Sequence, residues 1–421
     1  MTQIALPARL WRDGDFILFW SARTVSVTGT ALSLVALPVL VYQLTGSAAL
    51  TGVLAATEFL PYLMTGLLAG AIADRVDRRR LMVAMDVLNA VLLASVPVAG
   101  MLHRLTAWHV LGVGLLSSAA FVWFDAANFG ALPALVGRAR LPTAISSVSA
   151  AGTVADIGGP ALAGVLVATV GAANAVAVDA ASYLASAVLL GLVRRRFGGT
   201  EDGTADGAPR SGLWGDIRDG LRYLWRQRLL RAMTLATAGL SVTGGAVMGL
   251  TVVYAVRALR VPTDDARIGL LWTAGAAGGL VAALALPRLS GVGTAGRQVL
   301  YGLVVNALAL VVMSAAPGYL VGMIAMFVYD GSYLFVTLTS ITSRQVRTPD
   351  HLSSRVNASG RTLGAAGRPI GALVGGLVAT VLPIRYALLA MGLGVAASVV
   401  FAATSRLRTD PWRIEAPPAT G

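Results

Sequence analysis

The 421-residue chain contains no cysteine, which excludes disulfides, thiolate metal sites and thiol nucleophiles. Lysine is missing too: all 33 basic residues are arginine. Neither the phosphate-binding lysine of a P-loop nor a Schiff base can be built without it. Histidine occurs only at His103, His109 and His351, so no HExxH zinc motif can be written. Charge itself is scarce, 13% of residues against about 25% in an ordinary soluble domain. Apolar residues make up 56% of the chain, and the mean hydropathy is +0.74. Such a composition cannot cover a water-facing surface, so most of that surface must face lipid. It describes a polytopic membrane protein, driven by something other than its own ATP hydrolysis, with no cofactor or metal expected.

Crossing the hydrocarbon of a bilayer takes roughly 20 apolar residues. Twelve stretches qualify: 16–44, 48–73, 81–101, 108–133, 144–170 and 172–193, then 229–256, 267–287, 299–316, 318–343, 355–382 and 384–405. The net charge of +13 resolves into topology once the arginines are placed on these spans. Counting a residue at a span's edge with its flanking loop, twenty-five lie at the termini and in the even-numbered loops. Five lie on the opposite side (Arg104, Arg257, Arg260, Arg267, Arg385) and three inside spans (Arg23, Arg361, Arg368). The positive-inside rule then puts both termini in the cytoplasm, and no nucleic-acid partner is needed to explain the charge. The first span is too long for a signal-peptide core and is expected to stay uncleaved. Alanine, glycine and arginine richness suggests a GC-rich bacterial genome, hence the bacterial inner membrane.

The chain divides in its middle. Residues 1–193 and 229–421 carry six spans each, with 194–228 between them. Gly198–Ser211 reads as a flexible linker. From Leu213 to Arg228, Leu213, Ile217, Leu221 and Leu224 recur at helical spacing beside Trp214 and Trp225, as in an amphipathic helix on a membrane surface. The halves also echo one another: LVATV recurs at 166–170 and 377–381, GGP ends at Pro160 and GRP at Pro369, and FVWFD at 121–125 answers FVYD at 327–330. A duplicated six-helix unit with a substrate site between its copies is a transporter architecture.

Between spans 2 and 3 stands the motif Gly70-AIA-Asp74-Arg75-V-Asp77-Arg78-Arg79-Arg80. Gly70 permits close helix approach, Asp74 suits a helix N-terminus, and Arg78 can pair with a carboxylate. GxxxDRxxRR here resembles the signature of the major facilitator superfamily, and the resemblance runs over essentially the whole chain. The likeness is to bacterial exporters of the enterobactin and macrolide type. It implies an all-α integral membrane fold of two pseudo-symmetric six-helix bundles. It also implies a cytoplasmic latch in which Asp74 engages the start of span 11 and Arg78 an acid in span 4. The matching loop of the second half, 288–298, has lost the acid, so the latch is one-sided. Span 5 carries Gly158, Gly159, Pro160 and Gly164, similar to the superfamily's antiporter motif GxxxGPxxGG. Alanine at 163 and a longer approach to the proline are its departures.

Ionisable groups inside spans are costly and therefore informative. Glu58, ten residues into span 2, lies about 15 Å deep. Asp156 is central in span 5, and both have the depth required of a proton carrier. Asp125 in span 4 is either the latch partner of Arg78 or a third proton-coupling candidate. Asp330 is central in span 10, and Asp86 and Asp179, nearer span ends, read as structural. Arg23, Arg361 and Arg368 can pair with these acids or attract an anionic substrate. The expected function is proton-coupled export of hydrophobic small molecules by a monomer, through alternating access. A symporter importing a nutrient is the alternative on the same fold. A membrane enzyme or sensor would need a nucleophile–base pair or a soluble domain, and neither is evident.

Overall fold

In lipid an apolar segment satisfies its own backbone polar groups only by coiling into a helix or closing into a barrel. The computed structural model takes the first solution. It describes residues 7–73, 75–137, 139–195, 197, 221–289, 293–405 and 407. A 3-10 helix, Pro7–Arg12, leads into α1 (Gly14–Thr45), α2 (Ala48–Ala73), α3 (Arg78–Met101), α4 (Ala107–Val136), α5 (Leu141–Val170) and α6 (Ala172–Leu192). Then come α7 (Arg228–Arg257), α8 (Arg267–Leu289), α9 (Ala295–Ala315), α10 (Tyr319–Arg347), α11 (Asp350–Val381) and α12 (Ile384–Thr404). All twelve are long and apolar enough to cross a membrane, and no strand occurs among the described residues.

Each expected span has its helix, but several helices overrun the apolar stretch. α4 continues to Val136, α5 begins at Leu141, and α10 and α11 nearly meet at Arg347 and Asp350. Hydropathy marks only the lipid-facing length, whereas backbone hydrogen bonding continues through polar residues until a cap stops it. The Asp77 side chain accepts from the Arg80 N–H at 3.0 Å to start α3, and Thr106 accepts from the His109 N–H at 3.2 Å to start α4. α1 ends on Gly46 at φ +62°, a left-handed position that favours glycine.

Packing repeats with the sequence. α1 lies on α5 and α6, and α3 on α4 and α6; α7 lies on α11 and α12, and α9 on α10 and α12. The second set is the first with six added to every helix number. The helices gather into two compact units. One comprises Met1–Gly46, Thr57–Thr204 and Thr263–Thr273, the other Ser47–Ala56, Ala205–Pro262 and Ala274–Gly421. α2 and α8 therefore each run through both units. The first unit is cored by Phe16, Phe19, Met82, Phe124 and Phe197, the second by Met233, Leu240, Val299, Leu303 and Val336.

Most of the expected linker and surface helix lies outside the described residues. Its end, 221–226, is helical. Leu224 is buried there while Trp225 is 45% exposed, the division an amphipathic segment needs. At the start of α1, Asp13 pairs with Arg195 at 2.9 Å and Arg140 at 3.4 Å. Asp15 accepts from the backbone N–H groups of Arg194 and Arg195 at 2.9 and 3.3 Å, so α1 is tied to the loop before α5 and the end of α6. Arg195 also donates to the Leu135 carbonyl at 2.9 Å, yet its side chain is 47% exposed. Solvent screening keeps such pairs weak. Arg195→Gln should therefore lower stability by no more than about 1 kcal/mol in thermal unfolding; a loss several times larger would mean that the three contacts act as one network.

Candidate functional site

The first unit places a buried polar cluster among α1, α3, α4 and α6. Arg23 on α1 is 8% exposed, and its guanidinium carbon lies 4.9 Å from the centre of the Phe124 ring, a cation–π distance. Asp125 on α4, Asp86 on α3, Tyr183 on α6 and Tyr62 on α2 are within its electrostatic reach. Its Nε and Nη1 have no hydrogen-bond partner. Asp86 and Asn89, both 0% exposed, share an α3 face and form no hydrogen bond of ordinary geometry among the described residues; the Ser186 hydroxyl of α6 stands beside Asp86. Asp179 is better supplied: Ser33 of α1 donates to it in a short hydrogen bond, and Ser182 donates at 3.1 Å. The Thr30 and Tyr183 hydroxyls bond at 2.9 Å. Gly29 makes room for this, because a Cβ there would stand 1.9 Å from Ser182 Oγ and 2.4 Å from Asp179 Oδ1.

The second unit repeats the theme with different helices. Arg368 of α11 lies 5.2 Å from the Tyr333 ring centre, donates from Nε to the Tyr333 hydroxyl at 3.0 Å, and faces Asp330 of α10 electrostatically. Asp330 is half-buried and fills the space over Gly275 of α8, where a Cβ would stand 2.0 Å from its Oδ2. Each unit thus pairs an intramembrane arginine with an aromatic ring and an aspartate from the repeated FVWFD and FVYD segments.

The α5 motif splits by face. Gly159 packs on α1, a Cβ there falling 2.4 Å from that of Ala31. Gly164 packs on the first turn of α8, where the same atom would stand 2.4 Å from the Ala266 carbonyl oxygen. Thr273 of α8 closes the crossing by donating to the Ile157 carbonyl at 2.9 Å. Gly158 instead lines an open groove of about 600 Å³ with Gly159, Trp11, Trp20, Thr24, Thr28 and Ser147. Trp11 and Trp20 stack edge to face at 5.2 Å, and the Trp20 indole donates to the Ser147 carbonyl at 3.2 Å. The walls are mostly apolar, with hydroxyls spaced along one α1 face. Such a groove suits a hydrophobic compound carrying a few polar groups.

Other expected residues are scattered. Glu58 is half-buried on α2, while Asp156 is exposed on α5 and makes no hydrogen bond or ion pair among the described residues. Asp74 and the Arg361 side chain lie outside the described residues. Arg78 Nη1 donates to the Gly130 carbonyl of α4 at 3.3 Å; Asp125, its expected partner, faces Arg23. Arg79 holds the Val193 carbonyl at the end of α6, and Arg75 is exposed. The close approach expected at Gly70 is not made, since a Cβ there would meet nothing within 4 Å.

Sequence reasoning missed the link between Asp86 and Arg23, and the groove. A signal for the first was present. Asp86 and Asn89 are three residues apart, and Asp179, Ser182 and Ser186 follow helical spacing, so two apolar spans carry facing polar stripes. Outside the membrane helices, the Asp265 carboxyl is held below its usual range by hydrogen bonds from Arg267, whose guanidinium lies 2.7 Å away.

Comparison with known proteins agrees with this architecture. The chain is 27% identical to the multidrug efflux pump Tap of Mycolicibacterium fortuitum, over 91% of this chain and 93% of that one. It is 28% identical to the enterobactin exporter EntS of Citrobacter koseri, over 87% and 86%. The solved structure of the nucleoside transporter NupG superposes with a TM-score of 0.74 at 13% identity, covering 94% of this chain and 99% of that one. A bacterial homologue of the lysosomal transporter Spinster gives 0.69 at 15%, covering 99% and 100%. Residues 8–415 match the profile described as transmembrane secretion effector, and the chain belongs to that family of major facilitator transporters.

Proposed function

We propose that the protein is a proton-coupled exporter of hydrophobic small molecules, such as antibiotics, siderophores or other secondary metabolites. It works by alternating access, as a monomer in the bacterial inner membrane with both termini in the cytoplasm. The groove between α1 and α5 carries the substrate part of this reading. Tryptophan, threonine and small residues line it, and they offer apolar area and a few hydrogen bonds without a fixed charge. The efflux names of its relatives favour export over import. The arginine-rich even-numbered loops support the orientation. That orientation places Trp11 and the α1 end of the groove near the cytoplasmic face, where such a substrate enters.

Coupling falls to acids within the spans, Glu58, Asp156 and Asp125 being the candidates, because a carboxyl must take a proton on one side and release it on the other. The α2–α3 loop, with Gly70, Asp74, Arg75, Arg78 and Arg79, acts in this reading as the cytoplasmic latch. Its arginines hold backbone carbonyls of α4 and of the α6 end. Inside-out vesicles with an acidified lumen and a pH-sensitive dye test the proposal. Adding a panel of antibiotics, siderophores and dyes should release protons for some compounds. That release should be lost in Asp125→Asn. Silence across the panel, together with no protonophore-sensitive change of accumulation in whole cells, would overturn the reading.

A further inference from the structure

The charges inside the first unit do not balance. The charge of Arg23 reaches both Asp86 and Asp125, and Asp179 lies close enough for its charge to act on Asp86. Asp179 accepts from two serine hydroxyls, whereas Asp86, at 0% exposure, has the Ser186 hydroxyl beside it but no hydrogen bond of ordinary geometry among the described residues. A carboxylate stripped of water and of donors is expensive. One arginine between two carboxylates leaves a negative charge over, which a bound proton removes. Asp125 is half-buried and Asp86 fully closed, which gives that proton an outer and an inner position.

We propose that Asp86, with Asn89 and Ser186 beside it, is the inner proton-binding site of this transporter, and that Arg23 is a counter-ion shared between Asp86 and Asp125. This rests on the export reading for its role, but not for its existence. In the transfer step the Asp125 carboxyl gives its proton to the Asp86 carboxylate as the Arg23 guanidinium moves from Asp86 to Asp125. One O–H bond breaks, one forms, and the charge of the cluster is unchanged. The unbonded Nε and Nη1 of Arg23 are free to exchange partners because no fixed hydrogen bond has to break. Asn89 and Ser186 supply the donors and acceptors that steady either form of Asp86. The other titratable groups facing this centre are Tyr62 from α2 and Asp179 and Tyr183 from α6.

The test uses the full chain reconstituted in lipid. An infrared difference spectrum between acid and alkaline pH should contain a buried, slowly deuterated carboxyl C=O component. Asp86→Asn should abolish that component, and Asp86→Glu should return it at a shifted frequency. A spectrum unchanged in both variants overturns the proposal. Should Asp86→Asn fail to fold, the frequency shift in Asp86→Glu alone decides. With any compound that the wild type exports, Asp86→Asn should lose proton-driven export at least tenfold yet keep substrate counterflow. Wild-type export in that variant also overturns the proposal. If the wild type moves no compound, the export reading falls while the infrared result still decides the proton site.

Discussion

Arg23→Leu is expected to cost about 3 kcal/mol of stability at alkaline pH and to reduce transport at least tenfold. Removing one member of a buried charge group leaves the others uncompensated, and losses of roughly 3–5 kcal/mol are typical. Here the abandoned groups are Asp86 and Asp125. A protonated carboxyl is no longer a stranded charge, so the penalty shrinks at acid pH and the loss of melting temperature should grow as pH rises. The double variant Arg23→Leu with Asp86→Asn should recover much of the stability, because the stranded charge is gone, yet remain inactive. Thermal unfolding at several pH values, with export measured alongside, checks this. A pH-independent loss, or a double variant no more stable than the single one, would mean that Arg23 contributes packing against Phe124 rather than charge.

Gly269→Leu should arrest transport by a different route. A Cβ at Gly269 would stand 2.0 Å from the Pro160 carbonyl oxygen and 2.8 Å from the Gly164 nitrogen. Both obstacles are backbone, so no side chain can rotate out of the way. Overpacking of this kind costs about 1–3 kcal/mol, and the helices escape it by parting. The arrangement in which α5 and the start of α8 touch then loses population by a factor of roughly 5 to 150. A cycle that visits that arrangement slows accordingly, and export should fall by roughly fivefold or more while the fold survives. A cysteine placed at Ala266, in a chain with none of its own, should become more reactive to maleimide in the variant. Gly112→Ala is the control, since its Cβ would meet nothing within 4 Å and alanine favours a helix by up to about 1 kcal/mol. Normal export and unchanged labelling in Gly269→Leu would remove the crossing from the cycle.

The fold was legible because length and hydropathy decide it. Twelve apolar runs have no alternative to twelve helices, and three short repeated segments announced a duplication that the packing then showed. The site was less legible for a geometric reason. Depth along a helix can be counted from sequence, which is how Glu58 and Asp156 were chosen, but rotation about the helix axis cannot when every face is apolar. α4 is such a helix, so nothing in its residues says that Asp125 turns toward Arg23 while Arg78 reaches the Gly130 carbonyl. Asp86 was set aside for lying near a span end. Its oxygens are nevertheless fully closed, because α3 is covered there by α4 and α6. Gly70 differs in the opposite direction: among the described residues nothing comes within 4 Å of where its Cβ would stand.

The passage of α2 and α8 from one unit into the other has a mechanical consequence. The change of unit falls inside a helix at both places, so each rod must serve two sets of packing partners without a break. Each rod is softened beside its border. In α2 the change of unit comes at Thr57, and Pro61 has no N–H to return to the Thr57 carbonyl, which removes one rung of the ladder there. In α8 the change comes after Thr273, and Gly275, Gly278 and Gly279 follow at once, residues that weaken a helix. Bending compliance is thereby concentrated in two short stretches of otherwise stiff rods, the places where each helix flexes at least cost.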